Sequence, residues 1–128
     1  MKNILLDTLV LIWWLSGDSR LGNLAQAFIR DPNNKIWVSA ATIWEMSIKS
    51  ELGKLTLPGD ITNKVEGAGF TALAISFFHA NLAGKLPPHH KDPFDRMLIA
   101  QAQVEGLQIL TKDKQFYRYS VNLLNADD

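Results

Sequence analysis

Short apolar runs rich in strand-forming residues alternate along this chain with longer stretches of helical spacing, and that alternation constrains the fold more than any other feature. "NILLD" (3–7) reads as a first strand and "TLVLIWWL" after it as a buried helix. Residues 21–31 place Leu21, Leu24, Ala25 and Phe28 at helical spacing, and "DPNN" follows as a turn. "KIWVSA" reads as the second strand. Ala41, Trp44, Ile48 and Leu52 then mark one face of a helix that stops at Gly53. "LPGDITNKVEGAG" holds a further helix, with Pro58 near its start and Gly67 or Gly69 beyond its end. "FTALAIS" is the third strand, "FFHANLAGKL" a short helix and "PPHHK" a rigid loop. Pro93 to Glu105 is the clearest helix, with Asp92 as N-cap, Pro93 at the first helical position and Gly106 past the end. "LQILT" is the fourth strand, "DKQFYRY" a helical turn and "VNLL" a possible fifth strand. Strands alternating with helices give a parallel sheet covered on both faces, joined by right-handed connections. The expectation is a three-layer α/β sandwich with a central parallel sheet of four to five strands, built as a single domain over residues 1–128.

Four acids fall just past these strands, or one to two turns into the helix that follows: Asp7, Glu45, Asp95 and Asp113. Groups beyond the carboxyl ends of parallel strands gather at one edge, where such folds bind ligands. Helix 93–106 precedes the fourth strand and must run antiparallel to it, so its N-terminus brings Asp95 to that same edge. Carboxylates crowded together repel each other, and raised pKa values or bound cations relieve the repulsion. A Mg²⁺ or Mn²⁺ site fits the residue types, because these ions take hard oxygen ligands while keeping several waters. Divalent cations make water a better nucleophile at neutral pH and steady the scissile phosphate and leaving oxygen. Thr8 and Thr111 flank the acids and suit the positioning of water or substrate.

Each acid also has a plainer explanation. Asp7 can cap the helix that starts at Thr8, and Asp113 the turn after it. Asp95 suits the dipole at a helix N-terminus. Thr42-x-x-Glu45 matches a capping box, and Glu45 with Lys49 forms an i, i+4 pair. The capping box requires the helix to start after Thr42, whereas Ser39 is the earlier start and would leave Glu45 capping nothing. Taken singly, these explanations hold; taken jointly, they require four coincidences at one edge.

Composition removes other classes. Without cysteine there are no disulfides and no thiolate metal sites. The opening "MKNILLDTLVLIWWLSGD" has the outline of a signal peptide, but Asp7 interrupts its apolar run and no A-x-A-like site follows. No apolar run reaches the ~18 residues a membrane span needs, so a cytoplasmic protein is expected. Thirteen basic residues balance thirteen acidic ones, which by itself does not favour nucleic-acid binding. If metal neutralises four acids, the remaining surface is net basic.

"LLDTLVLIWWL", "VSAATIWEMSIKSELGKL", "LPPHHKDPFDRMLIAQAQVEGLQILTKD" and "VNLL" together resemble the PIN-domain family, most of all the VapC-type toxins of bacterial toxin–antitoxin pairs. The similarity runs over residues 4–124, and the order Asp, Glu, Asp, Asp is the family's acidic pattern. The resemblance implies a metal-dependent endoribonuclease held inactive by a cognate antitoxin, a homodimer, and contact with operator DNA only through the antitoxin complex. Carried over by position, Asp7, Glu45 and Asp95 match the first three acids and Asp113 the more variable fourth. Asp92 competes for the third position, but Pro93 leaves it as the cap.

Lys49, Arg96 and Lys112 lie near the acids and are the candidates to contact phosphate. His89 and His90 could ligate metal or exchange protons, but adjacent loop histidines usually point apart, and a surface loop is the plainer reading. Trp13, Trp14, Trp37 and Trp44 sit in apolar elements, as core or partner-facing side chains and not as base-stacking platforms. Two other functions compete. A phospho-receiver module needs an acceptor Asp at the end of the third strand, which here ends "LAIS". A catalytically silent PIN-like RNA- or protein-binding module would have lost one of the acids, and none is lost. A haloacid-dehalogenase-type phosphatase would need an Asp where Leu9 stands.

Overall fold

A computed structural model describes residues 1–57 and 59–128. Pro58, expected near the start of the fourth helix, lies outside the described residues. The chain runs β1 (Asn3–Leu6), α1 (Thr8–Ser16), α2 (Asn23–Arg30), β2 (Lys35–Ser39), α3 (Ala40–Glu51), α4 (Ile61–Gly67), β3 (Thr71–Leu73), α5 (Phe77–Lys85), α6 (Pro93–Glu105), β4 (Gln108–Thr111), a 3-10 helix (Lys114–Arg118) and β5 (Asn122–Asn125). The strands form one sheet in the order β3-β2-β1-β4-β5, and every neighbouring pair is parallel. This is the expected α/β sandwich, with "VNLL" contributing the fifth strand.

Side chains alternate between the faces of the sheet. Ile4 and Leu6 of β1 pack with Val10, Leu11 and Trp13 of α1, Ala25 and Ile29 of α2, Met46 of α3 and Val65 of α4. Leu5 points the other way, to Leu98, Ile99 and Ala102 of α6, Ile109 of β4 and Phe116. β1 is the middle strand, and its Ile4, Leu5 and Leu6 are fully buried, which is why they form an apolar run without alternation.

Two elements differ from the sequence expectation. β3 is shorter than "FTALAIS", because Ser76 leaves the sheet to cap α5. Its Oγ accepts from the His79 N–H at 3.2 Å, and His79 Nδ1 accepts from the Ser76 N–H at 3.0 Å. The apolar stripe on α3 does not face the core. Ala41 is buried, but Trp44 and Leu52 are 61% and 63% exposed, and Ile48 is also exposed. The buried residues of this helix are Ala41, Thr42, Glu45 and Met46. The tryptophans divide accordingly. Trp13 is core and Trp14 and Trp37 are half-buried, with Arg30 and Lys35 over their rings, while Trp44 stands in solvent edge-on to Phe94.

Candidate functional site

The carboxyl edge of the three central strands carries the acids. Asp7 follows β1 and caps α1, Oδ1 accepting from the Leu9 N–H at 3.1 Å. Its Oδ2 accepts from the Thr111 hydroxyl at 2.5 Å, across the β1–β4 pair. On the next strand, Ser39 caps α3 by accepting from the Ala41 N–H at 3.0 Å. The helix therefore starts before Thr42, and Glu45 is not part of a capping box. Glu45 is buried; its Oε2 accepts from Lys49 Nζ at 2.7 Å. Its Oε1 is buried without a hydrogen-bond partner among the described residues. Asp92 caps α6, accepting from the Phe94 and Asp95 N–H groups at 2.8 and 3.2 Å, which leaves the Asp95 carboxylate free of capping work. Asp113 follows β4 and caps the 3-10 helix through Oδ1. So three of the four acids are placed by local backbone chemistry, two of them as caps and Asp95 by the Asp92 cap. All four nonetheless line one open cleft of about 590 Å³.

Crowding shows in the proton affinities. Burial raises the Asp7 pKa above the usual carboxylate range, against the lowering effect of its Thr111 and Leu9 hydrogen bonds, and Asp113 and Glu45 add to the rise. Burial pushes the Asp95 carboxyl up to about 8, reinforced by Asp7, Asp92, Glu45 and Asp113. Lys49 is raised as well, mainly by its hydrogen bond to Glu45. A cleft in which Asp95 holds its proton near neutrality, and whose buried Glu45 Oε1 has an unused acceptor, is built to receive positive charge. Asp7, Glu45, Asp95 and Asp113 offer only hard oxygens, the donor set that suits Mg²⁺ or Mn²⁺.

The other expected residues divide. Thr8 lines the cleft, and its hydroxyl lies 3.0 Å from that of Thr42. Thr111 reaches the cleft through two lining residues, its hydroxyl donating to Asp7 Oδ2 and accepting from the Asp113 N–H at 3.0 Å. Lys49 and Lys112 line it, with Lys112 Nζ 5.2 Å from the centre of the Trp13 ring. Arg96, expected at phosphate, is instead committed elsewhere. Its guanidinium donates to the carbonyls of Ala83, Leu86, Pro87 and His90 at 2.9 to 3.2 Å. One residue further along a helix is about 100° further round, so Arg96 turns away from the face that shows Asp95.

His90 is the second correction. It is not a surface-loop residue: the side chain is buried, with Nε2 3.0 Å from both Asp95 Oδ2 and Asp113 Oδ2. His89 is exposed, as expected, and lies against Tyr119. Two further charged cleft residues, Lys114 and Asp127, escaped the sequence reading, and Asp92, read as the cap of α6, lines the cleft as well. Asp127 follows β5 at the same sheet edge, so the rule that found the four acids also finds it once β5 is accepted as a strand.

The fold and this edge define a class. The PIN domain family profile matches residues 4–122, and the chain belongs to that family. No curated protein sequence matches the chain. Among solved structures, it resembles a chain of the DNA-bound VapBC structure from Salmonella typhimurium, at 20% identity over 98% of each chain with a TM-score of 0.72. A toxin-antitoxin complex from Klebsiella pneumoniae gives 21% identity over 94% of this chain and 95% of that one, with a TM-score of 0.66. VapBC2 from Rickettsia felis, bound to a promoter DNA fragment, gives 14% identity over 96% and 98%, also at 0.66.

Proposed function

We propose that this protein is a divalent-metal-dependent endoribonuclease and the toxin of a toxin–antitoxin pair, held inactive by a cognate antitoxin. The observation that carries the reading is the convergence of Asp7, Glu45, Asp95 and Asp113 on one cleft, with two raised pKa values and a buried, unpartnered Glu45 Oε1. The toxin assignment draws on the likeness to chains of VapBC and other toxin–antitoxin complexes.

Asp7, Glu45, Asp95 and Asp113 would hold Mg²⁺ or Mn²⁺. Bound there, the cation supplies Lewis acidity and counter-charge for phosphodiester hydrolysis. The chain's own groups do the rest. Thr111 orients Asp7 by donating to Oδ2, and the Thr8–Thr42 hydroxyl pair fixes the floor between α1 and α3. Lys49 and Lys112 offer ammonium groups to an RNA backbone entering the cleft. Lys49 also pairs with Glu45 at 2.7 Å, which sets its ammonium beside the acids. The protein is further proposed to be a cytoplasmic homodimer that meets operator DNA only within the antitoxin complex. Among the described residues no helix is long and apolar enough to cross a membrane.

Purified, antitoxin-free protein should cleave RNA with Mg²⁺ or Mn²⁺ and stop in EDTA. Its expression alone should arrest growth, and co-expression of a small neighbouring antitoxin should restore it. Cleavage undiminished in EDTA rejects the metal mechanism, and harmless overexpression of soluble wild-type protein rejects the toxin role.

A further inference from the structure

We propose that His90 is a positioning residue of the acidic cleft, holding the Asp95 and Asp113 carboxylates together through its Nε2–H and not ligating the metal. The inference deepens the metal-dependent reading above and rests on it.

The loop that carries His90 is firmly braced. The Tyr119 hydroxyl accepts from the His90 backbone N–H at 2.8 Å and donates to the Pro87 carbonyl at 2.6 Å. Arg96 ties the carbonyls of Pro87 and His90 to those of Ala83 and Leu86. The imidazole packs edge-on against the buried Phe116, ring centres 5.6 Å apart. Arg96 therefore has a role in the site after all, at one remove: it shapes the loop that delivers His90.

The ring's own bonds fix its tautomer. Nδ1 accepts from the Asp92 N–H at 3.3 Å, so the proton of the neutral ring sits on Nε2. Nε2 makes a hydrogen bond to Asp113 Oδ2 at 3.0 Å and lies 3.0 Å from Asp95 Oδ2. One ring nitrogen thus sits between two carboxyl groups from different elements, hydrogen-bonded to Asp113 after β4 and in close charge contact with Asp95 of α6. The remaining Asp113 oxygen is taken by the Gln115 N–H. Among the described residues, His90 is the side chain in polar contact with the Asp95 carboxylate.

His90, Asp95 and Asp113 could together be taken for a three-ligand metal site, since their donor atoms lie within 4.8 Å of one another. The tautomer argues against that. Ligation through Nε2 would displace its proton, and the proton could return only to Nδ1, where a backbone N–H already points. Donors that hold carboxylate ligands from outside the coordination sphere act as His90 does here, and their loss typically weakens metal binding about 10- to 100-fold.

The test measures Mn²⁺ binding by electron paramagnetic resonance in wild type, His90→Phe and His90→Gln. It is paired with ¹⁵N–¹H spectra of the wild-type histidine rings with and without Mg²⁺. Phe keeps the packing on Phe116 but removes the donor; Gln restores an N–H of similar reach. His90→Phe should bind Mn²⁺ at least about tenfold more weakly. His90→Gln should recover most of that loss, and Nε2 should stay protonated when Mg²⁺ saturates the site. Wild-type affinity in His90→Phe overturns the positioning role. Loss of the Nε2 proton on Mg²⁺ binding, or a His90→Gln defect equal to that of His90→Phe, makes His90 a ligand. Failure of the wild type to bind Mn²⁺ at all overturns the metal-dependent reading itself, and a metal-free spectrum with the proton on Nδ1 removes the clamp independently of it.

Discussion

The two faces of α3 invert the usual order of a soluble helix. Toward the sheet edge it buries a carboxylate, Glu45, with one oxygen unpartnered; toward solvent it exposes Trp44, Ile48 and Leu52. α6 follows the usual order more closely, burying Leu98, Ile99 and Ala102 and exposing Glu105, although it also buries Gln101 and exposes Val104. Where the order holds, residues are explained by stability. Where it is inverted, stability does not explain them, and the buried acid points to chemistry.

The largest effects should separate the inverted positions from the ordinary ones. Asp7→Asn, Glu45→Gln and Asp95→Asn should each lower cleavage by about 100- to 1,000-fold. In EDTA, thermal melts of the same variants should show folds as stable as wild type or more so. The proton linkage gives the sign. The folded Asp95 carboxyl is raised from 3.8 to about 8, so over that range the folded chain holds a proton that the unfolded chain releases. Metal-free wild type should therefore lose stability as pH rises through that window, Asp95→Asn should flatten the dependence, and Mg²⁺ should oppose it. Melts that show these variants strongly destabilised would make the acids structural.

The next contrast lies within α3. Met46→Ala removes a buried side chain and should cost about 2–4 kcal/mol in denaturant unfolding, whereas Trp44→Ser at its exposed neighbour should change stability by about 0.5 kcal/mol or less. Equal losses would mean that the exposed stripe is packed in solution. The smallest effect expected is at Lys49. Its ammonium is half exposed although Glu45 is buried, so Lys49→Ala should move the melting temperature less than Met46→Ala does. It should nevertheless reduce cleavage several-fold and flatten the salt dependence. A cleavage rate unchanged across a salt titration would leave Lys49 as a partner of Glu45 only.

Much of the site could be read in the sequence because it is made of local signals repeated at one edge. An apolar strand followed by an acid gave Asp7 and Asp113. The Asp92-Pro93 cap fixed the start of α6 and so the place of Asp95, and Ser39 fixed the start of α3 and so freed Glu45. The misread residues depend on contacts between distant segments. Nothing near His90 reveals that Tyr119 and Arg96 fold its loop inward, and the expected divergence of adjacent histidines says only that one of them turns away. Arg96 was legible in principle, since neighbours on a helix cannot share a face. The α3 stripe shows the limit of periodicity: it identifies an apolar face without saying whether the core or the solvent lies opposite.

The hydrogen bond from Thr111 to Asp7 joins residues 104 positions apart. During synthesis the first acid emerges early, but its partner strand β4 and Asp113 emerge only after most of the chain. Pairing of β1 with β4 is a non-local step, and such contacts form late. A growing chain that has not yet released residue 113 lacks one wall of the cleft and the hydroxyl that holds Asp7. The order of translation thus delays assembly of the acidic cleft until β4 and the turn after it are free to fold.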